Sequence, residues 1–172
     1  MRLLPATVTT RWSASLIVVV LASTLVACGN EDATTDAGAT APEQAASTDL
    51  AEKPAIDVPD GPPPSSLETE DLVEGDGEPV KPGDELEVQY VGVSYATGEE
   101  FDASWDRGEP FVFELGAGMV IPGWDEGLDG MKVGGRRKLT IPPELAYGSE
   151  GSPPDIGPDE TLVFVIDLLD AR

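Results

Sequence analysis

Histidine is absent from this 172-residue chain, and cysteine occurs once, at Cys28. Intramolecular disulfides, Ser-His-Asp triads, Cys-His nucleophilic pairs and histidine-based zinc sites are thereby excluded. Cationic residues are scarce too: 10 Lys and Arg stand against 33 Asp and Glu, a net charge of −23. Such a surface repels nucleic acid and gains nothing from anionic lipid headgroups. A membrane-length apolar run is also missing. The stretch that ends at Cys28 holds about a dozen apolar residues, short of the roughly 20 that a helix needs to cross a bilayer.

That stretch fits an export signal instead. Arg2 and Arg11 precede the apolar run Leu16–Leu21, which continues through Ala22 to Ala27 as far as Cys28. The ending Leu25-Val26-Ala27-Cys28 resembles the bacterial lipobox, where a diacylglyceryl group joins the cysteine sulfur and cleavage follows before it. The resemblance implies a lipoprotein signal peptide over residues 1–27. Cys28 then becomes the lipidated first residue of an exported protein, anchored to the bacterial cell membrane and facing outside the cytoplasm; stable anchoring takes more than one acyl chain. The alternatives are an ordinary cleaved signal with an incidental cysteine, or an uncleaved anchor.

Residues 28–66 are rich in Ala, Thr, Asp, Glu, Gly and Pro, and end in Val58-Pro59-Asp60-Gly61-Pro62-Pro63-Pro64 without hydrophobic periodicity. Little apolar surface is available there to offset ordering entropy, so the segment is expected to be a disordered, partly extended tether. The acidic stretches Asp76-Gly77-Glu78 and Asp125-Glu126-Gly127-Leu128-Asp129 are too short for a twelve-position calcium loop. No metal or other cofactor is expected.

From residue 67 to 172 the pattern changes. Leu86-Glu87-Val88-Gln89-Tyr90-Val91-Gly92-Val93 alternates with period two, as do Phe111–Leu115, Lys138–Ile141 and Leu162–Leu168. Turn sequences separate them, including Pro82-Gly83-Asp84, Ala96-Thr97-Gly98-Glu99 and Val133-Gly134-Gly135. One helix is predicted from Ile121 to Met131, with Pro122 tolerated in its first turn and Ile121, Trp124, Leu128 and Met131 on one face. These elements make an α+β domain. Its aromatic residues, Tyr90, Phe101, Phe111, Phe113, Trp124, Tyr147 and Phe164, fall at element starts or on inner strand faces. Their placement alone is compatible with a plain core or with a pocket.

A series of motifs resembles the FKBP-type peptidyl-prolyl cis-trans isomerases, the tacrolimus- and rapamycin-binding immunophilins. They include Val88-Gln89-Tyr90-Val91-Gly92, Gly98-Glu99-Glu100-Phe101-Asp102-Ala103-Ser104, Val120-Ile121-Pro122-Gly123-Trp124-Asp125-Glu126-Gly127-Leu128, Met131-Lys132-Val133-Gly134 and Ala146-Tyr147-Gly148. The resemblance implies an FKBP-like antiparallel sheet of about five strands curled around one short helix. It also implies a pocket walled by Tyr90, Phe101, Asp102, Phe111, Val120, Ile121, Tyr147, Ile156 and Phe164, with Trp124 as its floor and Arg107 and Phe113 behind. The backbone N–H of Ile121 and the phenol of Tyr147 would then hold substrate carbonyls. Asp102 would either touch the twisting amide or orient Tyr90 and Arg107.

The expected activity is isomerisation of proline-containing segments of exported proteins by a monomer, with tacrolimus- or rapamycin-like macrolides as further ligands. A non-catalytic proline-peptide binder or holdase chaperone of the same fold is the alternative. Departures from the family pattern lie at the rim: Met119 stands where a glutamate is frequent, Ser152 where a histidine is, and Glu150–Glu160 is acidic. The acidic rim is expected to favour basic residues flanking the proline.

Overall fold

The computed structural model describes residues 50–172. The expected signal, Cys28 and the first part of the tether lie outside the described residues.

Six strands form one antiparallel sheet: β1 (Glu68–Val73), β2 (Glu85–Ser94), β3 (Glu100–Ala103), β4 (Phe111–Glu114), β5 (Arg136–Ile141) and β6 (Leu162–Ala171). Their order is β1-β5-β6-β2-β3, with β4 also paired to β2. Along β2, Glu85–Val88 faces β4 and Val91–Val93 faces β3, so the two short strands occupy one edge in succession. A four-residue helix, α1 (Ser104–Arg107), continues directly from β3, and α2 (Pro122–Gly127) lies between β4 and β5. The predicted helix thus ends earlier than its apolar pattern, at Gly127, yet Trp124, Leu128 and Met131 are buried as its periodicity requires.

Two strands escape the period-two reading. In β1, Glu68–Asp71 are all exposed, and the strand is held as an edge by charge: Asp71 pairs with Arg137 at 2.6 Å, and Glu70 with Lys138 on the facing β5. In β3, four residues are too few to display a period.

The sheet's inner face and α2 enclose the main core, which includes Leu86, Val88, Phe113, Leu128, Leu139, Ile141 and Ile166. Close approach depends on two glycines. A Cβ on Gly123 would lie 2.4 Å from Ile141 Cγ2, so its absence lets α2 settle onto β5, and a Cβ on Gly92 would lie 2.7 Å from both Phe101 and Phe164.

The outer face is covered as well. Composition assigns residues 50–66 to the tether, but in the structure Pro54 is buried, and Ile56 and Val58 pack on Val91, Val93, Ala103 and Val163. Lys53 pairs with Glu100 at 2.8 Å and Asp106 at 2.7 Å, and the carbonyl of Glu52 accepts from Arg136 Nη2 at 3.0 Å. Among the described residues, Pro54, Ile56 and Val58 are too few to register as hydrophobic periodicity. Arg136 is itself fully buried across from Asp167, in a two-bond pair of 2.5 and 2.7 Å. Burial pushes the Asp167 carboxyl up, and the hydrogen bond from Arg136 pulls it back.

Candidate functional site

The inner face of β2 points Tyr90 toward α2, and β6 places Phe164 beside it. Across the β2–β3 pairing, Gly92 leaves room for the Phe101 ring to meet Phe164 edge-on, with centroids 5.5 Å apart. From below, α2 inserts Trp124, whose indole makes edge contacts with Tyr90 at 5.1 Å and Phe164 at 5.3 Å. Phe111 stands edge-on to Tyr90 at 6.1 Å and stacks on Phe113 at 5.5 Å, so Phe113 braces the wall from behind. Edge-to-face pairs align the positive ring edge with a negative face, each contributing about 0.5–1.5 kcal/mol beyond area burial. The result is a rigid aromatic cup.

This cup encloses a cavity of about 180 Å³ lined by Tyr90, Phe101, Asp102, Phe111, Met119, Val120, Ile121, Trp124, Tyr147 and Phe164. The structure therefore brings together every wall and floor residue expected from the sequence except Ile156. That side chain is only 5% exposed and packs in the same core cluster as Tyr90, Trp124 and Phe164; its backbone forms an isolated bridge with Ser152. Among the described residues, the buried indole N–H of Trp124 has no hydrogen-bond partner.

Tyr90 and Asp102, on the cavity lining, join Arg107 in a polar cluster. Tyr90 donates its hydroxyl proton to Asp102 Oδ2 at 2.5 Å and accepts from Arg107 Nη2 at 2.8 Å, while Arg107 Nη1 donates to Asp102 Oδ1 at 2.5 Å. The three side chains form a closed triangle, with the guanidinium also 5.4 Å from the centre of the Tyr90 ring. Burial, reinforced by the bond to Asp102, pushes the Tyr90 phenol up to about 12. The bond to Tyr90 raises Arg107 further above its ordinary value.

Ser104 fastens the corner that presents this triangle. Its hydroxyl accepts from the backbone N–H of Tyr90 at 2.8 Å and donates to the Gln89 side chain, pinning the start of α1 to β2.

Two further donors belong to residues that line the cavity, Ile121 and Tyr147. Ile121 caps the start of α2 in extended conformation, and among the described residues its N–H has no backbone partner. Tyr147 is 41% exposed, and burial followed by the nearby charge of Asp102 raises its phenol above the ordinary value.

Asp125 is a contributor that sequence reasoning overlooked as part of the site. Its carboxylate accepts from the N–H groups of Gly116 at 2.8 Å and Gly118 at 3.2 Å, fixing the loop that leads to Met119, Val120 and Ile121. A glycine turn followed by an acid in the first turn of the next helix is the signal that points to it.

A second, acidic cavity of about 630 Å³ adjoins the cup at Phe101 and is lined by Glu99, Glu100, Asp155 and Glu160 among others. Two of these acids are engaged: Glu100 with Lys53, and Glu160 with the Ser94 hydroxyl and the Gly157 N–H.

Residues 76–169 match the family model described as FKBP-type peptidyl-prolyl cis-trans isomerase. An FK506-binding protein of Streptomyces anulatus is 57% identical over 119 residues, covering 69% of this chain and 96% of the relative. The peptidyl-prolyl cis-trans isomerase FPR2 of Saccharomyces cerevisiae is 50% identical over 91 residues, covering 53% of this chain and 67% of the relative. Among solved structures, the crystal structure of AtFKBP13 superposes with a TM-score of 0.59 at 38% identity, covering 64% of this chain and 96% of that one. Together with the antiparallel sheet and the aromatic cup, these matches show that the chain belongs to the FKBP-type peptidyl-prolyl cis-trans isomerases.

Proposed function

We propose that the aromatic cavity is where isomerisation occurs and that the chain serves proteins exported across the bacterial membrane. The observation that carries the site is the gathering of Tyr90, Phe101, Phe111, Trp124 and Phe164 into one cup, with Asp102 and Tyr147 also on its lining. Amide resonance sets a rotation barrier of about 18–20 kcal/mol. The twisted amide has lost its double-bond character and much of its carbonyl polarity, so an apolar enclosure favours it over the planar form. Catalysis is then differential binding and needs no nucleophile.

In this reading the prolyl ring lies over Trp124, while the Ile121 N–H and the Tyr147 hydroxyl donate to substrate carbonyls on either side. Asp102 orients rather than attacks: each of its oxygens already accepts a bond, one from Tyr90 and one from Arg107. The same cup admits a macrolide of the tacrolimus or rapamycin type in competition with peptide, which the naming of FK506-binding relatives supports.

The setting rests on the amino-terminal sequence. A signal-like segment over 1–27, the lipobox-like cysteine and the acidic spacer support a protein tethered through Cys28 to the membrane surface. There it assists folding steps limited by slow prolyl isomerisation, which takes tens of seconds unaided.

A protease-free isomerisation assay of the wild type beside Asp102→Ala and Tyr147→Phe tests the site, with a selective loss expected in both variants. Turnover no faster than solvent would remove the isomerase reading. For the setting, Cys28→Ser is expected to move the protein from the membrane fraction to the soluble fraction of expressing bacteria. Unchanged fractionation would refute the lipid tether.

A further inference from the structure

We propose that Met119 is an oxidation site built into the mouth of the cavity, where conversion of its thioether to the sulfoxide weakens capture of proline peptides. The inference rests on the reading of the cavity as the peptide site. Met119 lines the cavity beside Val120 and Ile121 and is 64% exposed, whereas Met131 is 1% exposed within the core. Met1 lies in the expected signal, and the single cysteine, Cys28, is expected to be acylated. Among the described residues, therefore, one accessible sulfur stands at the binding site.

The loop that carries it is constructed rather than slack. Gly116 and Gly118 have φ of 76° and 67°, in the left-handed region that favours glycine, and both donate their N–H groups to the Asp125 carboxylate. That clamp fixes the backbone leading into Val120 and Ile121, so the Met119 side chain is kept at the mouth. An unbranched thioether there offers an adaptable apolar contact to whatever flanks the proline.

The oxidant is of the peroxide class. A sulfur lone pair attacks one peroxide oxygen, an S–O bond forms as the O–O bond breaks, and the departing oxygen leaves as water after proton transfer. Sulfur loses two electrons and the peroxide gains them. The product is a polar sulfinyl group that must shed water to be covered by a peptide, which disfavours binding.

The test uses the full chain before and after treatment with hydrogen peroxide, with peptide mass spectrometry locating the added oxygen. Kinetics are read in the protease-free assay on a peptide with an apolar residue before proline. Losing one such apolar contact is expected to raise KM about three- to tenfold with little change in kcat. In Met119→Leu the ratio of treated to untreated KM is expected to stay near unity, while Met131→Leu responds as the wild type does. A sulfoxide on Met119 with unchanged KM, no oxygen added at Met119, or an equal response in Met119→Leu would each overturn the proposal. Absence of turnover in the untreated chain would instead remove the isomerase reading. Peptide affinity read from tryptophan fluorescence would then still decide the oxidation site: a treatment-dependent loss in wild type but not Met119→Leu supports it, and equal responses overturn it.

Discussion

The Tyr90 hydroxyl donates to Asp102 across 2.5 Å while accepting from Arg107 at 2.8 Å, so the phenol on β2 is held from both sides. Its proton is shielded by burial and bound to a carboxylate, which disfavours the phenolate.

The pH dependence of stability follows with a definite sign. An unfolded tyrosine titrates near 10, and Tyr90 in the folded protein at about 12. Between these values the native state holds the proton that the unfolded state has released. Stability from this group is therefore complete below pH 10 and declines as pH rises toward 12. After discounting for partial screening, the decline amounts to roughly 1–2 kcal/mol. Urea titrations at pH 9 and pH 12 should show it in wild type and lack it in Tyr90→Phe, the other tyrosines contributing equally to both.

Removing the carboxylate tests its orienting role. Asp102→Ala deletes two charge-assisted bonds, each of the kind that contributes about 1.5–3 kcal/mol. If even one such term is expressed in the transition state, kcat/KM falls about tenfold to a hundredfold. Far-ultraviolet circular dichroism should stay native-like, because the residue lies at the mouth and not in the core.

Gly92→Ala probes the rings directly. The added Cβ would meet Phe101 and Phe164 at 2.7 Å, and both rings are wedged among other aromatics, so neither can yield freely. Overpacking of this type costs about 1–3 kcal/mol. The expected result is a lower melting temperature together with weaker peptide binding.

Residues 50–66 give a comparison between apolar packing and ion pairing. The Lys53 pairs to Glu100 and Asp106 are partly solvent-exposed, and Lys53→Ala should cost less than about 1 kcal/mol. Ile56→Ser combined with Val58→Ser strips the apolar contact from Val91, Val93 and Val163 and should cost about 1–3 kcal/mol. Chemical denaturation of both variants checks the order; a larger effect at Lys53 would reverse the argument.

Charge at the mouth should be visible in substrate preference. With Glu99 and Asp155 beside the cup, peptides carrying Lys next to the proline are expected to turn over faster than Glu counterparts at low salt. Near 1 M salt, where the screening length falls to about 3 Å, the difference should largely vanish. Equal rates at low salt would contradict it.

Much of the fold was legible locally. Strand β2 could be read from Leu86, Val88 and Tyr90 because a half-buried strand must alternate, and α2 from Trp124, Leu128 and Met131 because one helical face must be apolar. The family motifs pointed to a ring of expected pocket residues, and nine of them, Tyr90, Phe101, Asp102, Phe111, Val120, Ile121, Trp124, Tyr147 and Phe164, line one cavity. Strand β1 was hidden because its exposed residues carry no apolar period and its pairing partner, β5, with Arg137 and Lys138 facing Asp71 and Glu70, is distant in sequence. The docking of Ile56 and Val58 was hidden for the same reason: their partners lie on β2, β3 and β6.

The sequence by itself determined the excluded chemistries, the acidic character, the main strand and helix periods and the inward direction of Tyr90, Phe111 and Phe164, since all of these depend on composition and local spacing. Only the tertiary structure decided that Tyr90, Asp102 and Arg107 close into a triangle and that Asp125 clamps the loop bearing Met119. Hydrogen bonds of 2.5–3.2 Å join groups brought together by strand pairing and helix packing, and no local sequence period encodes such distances.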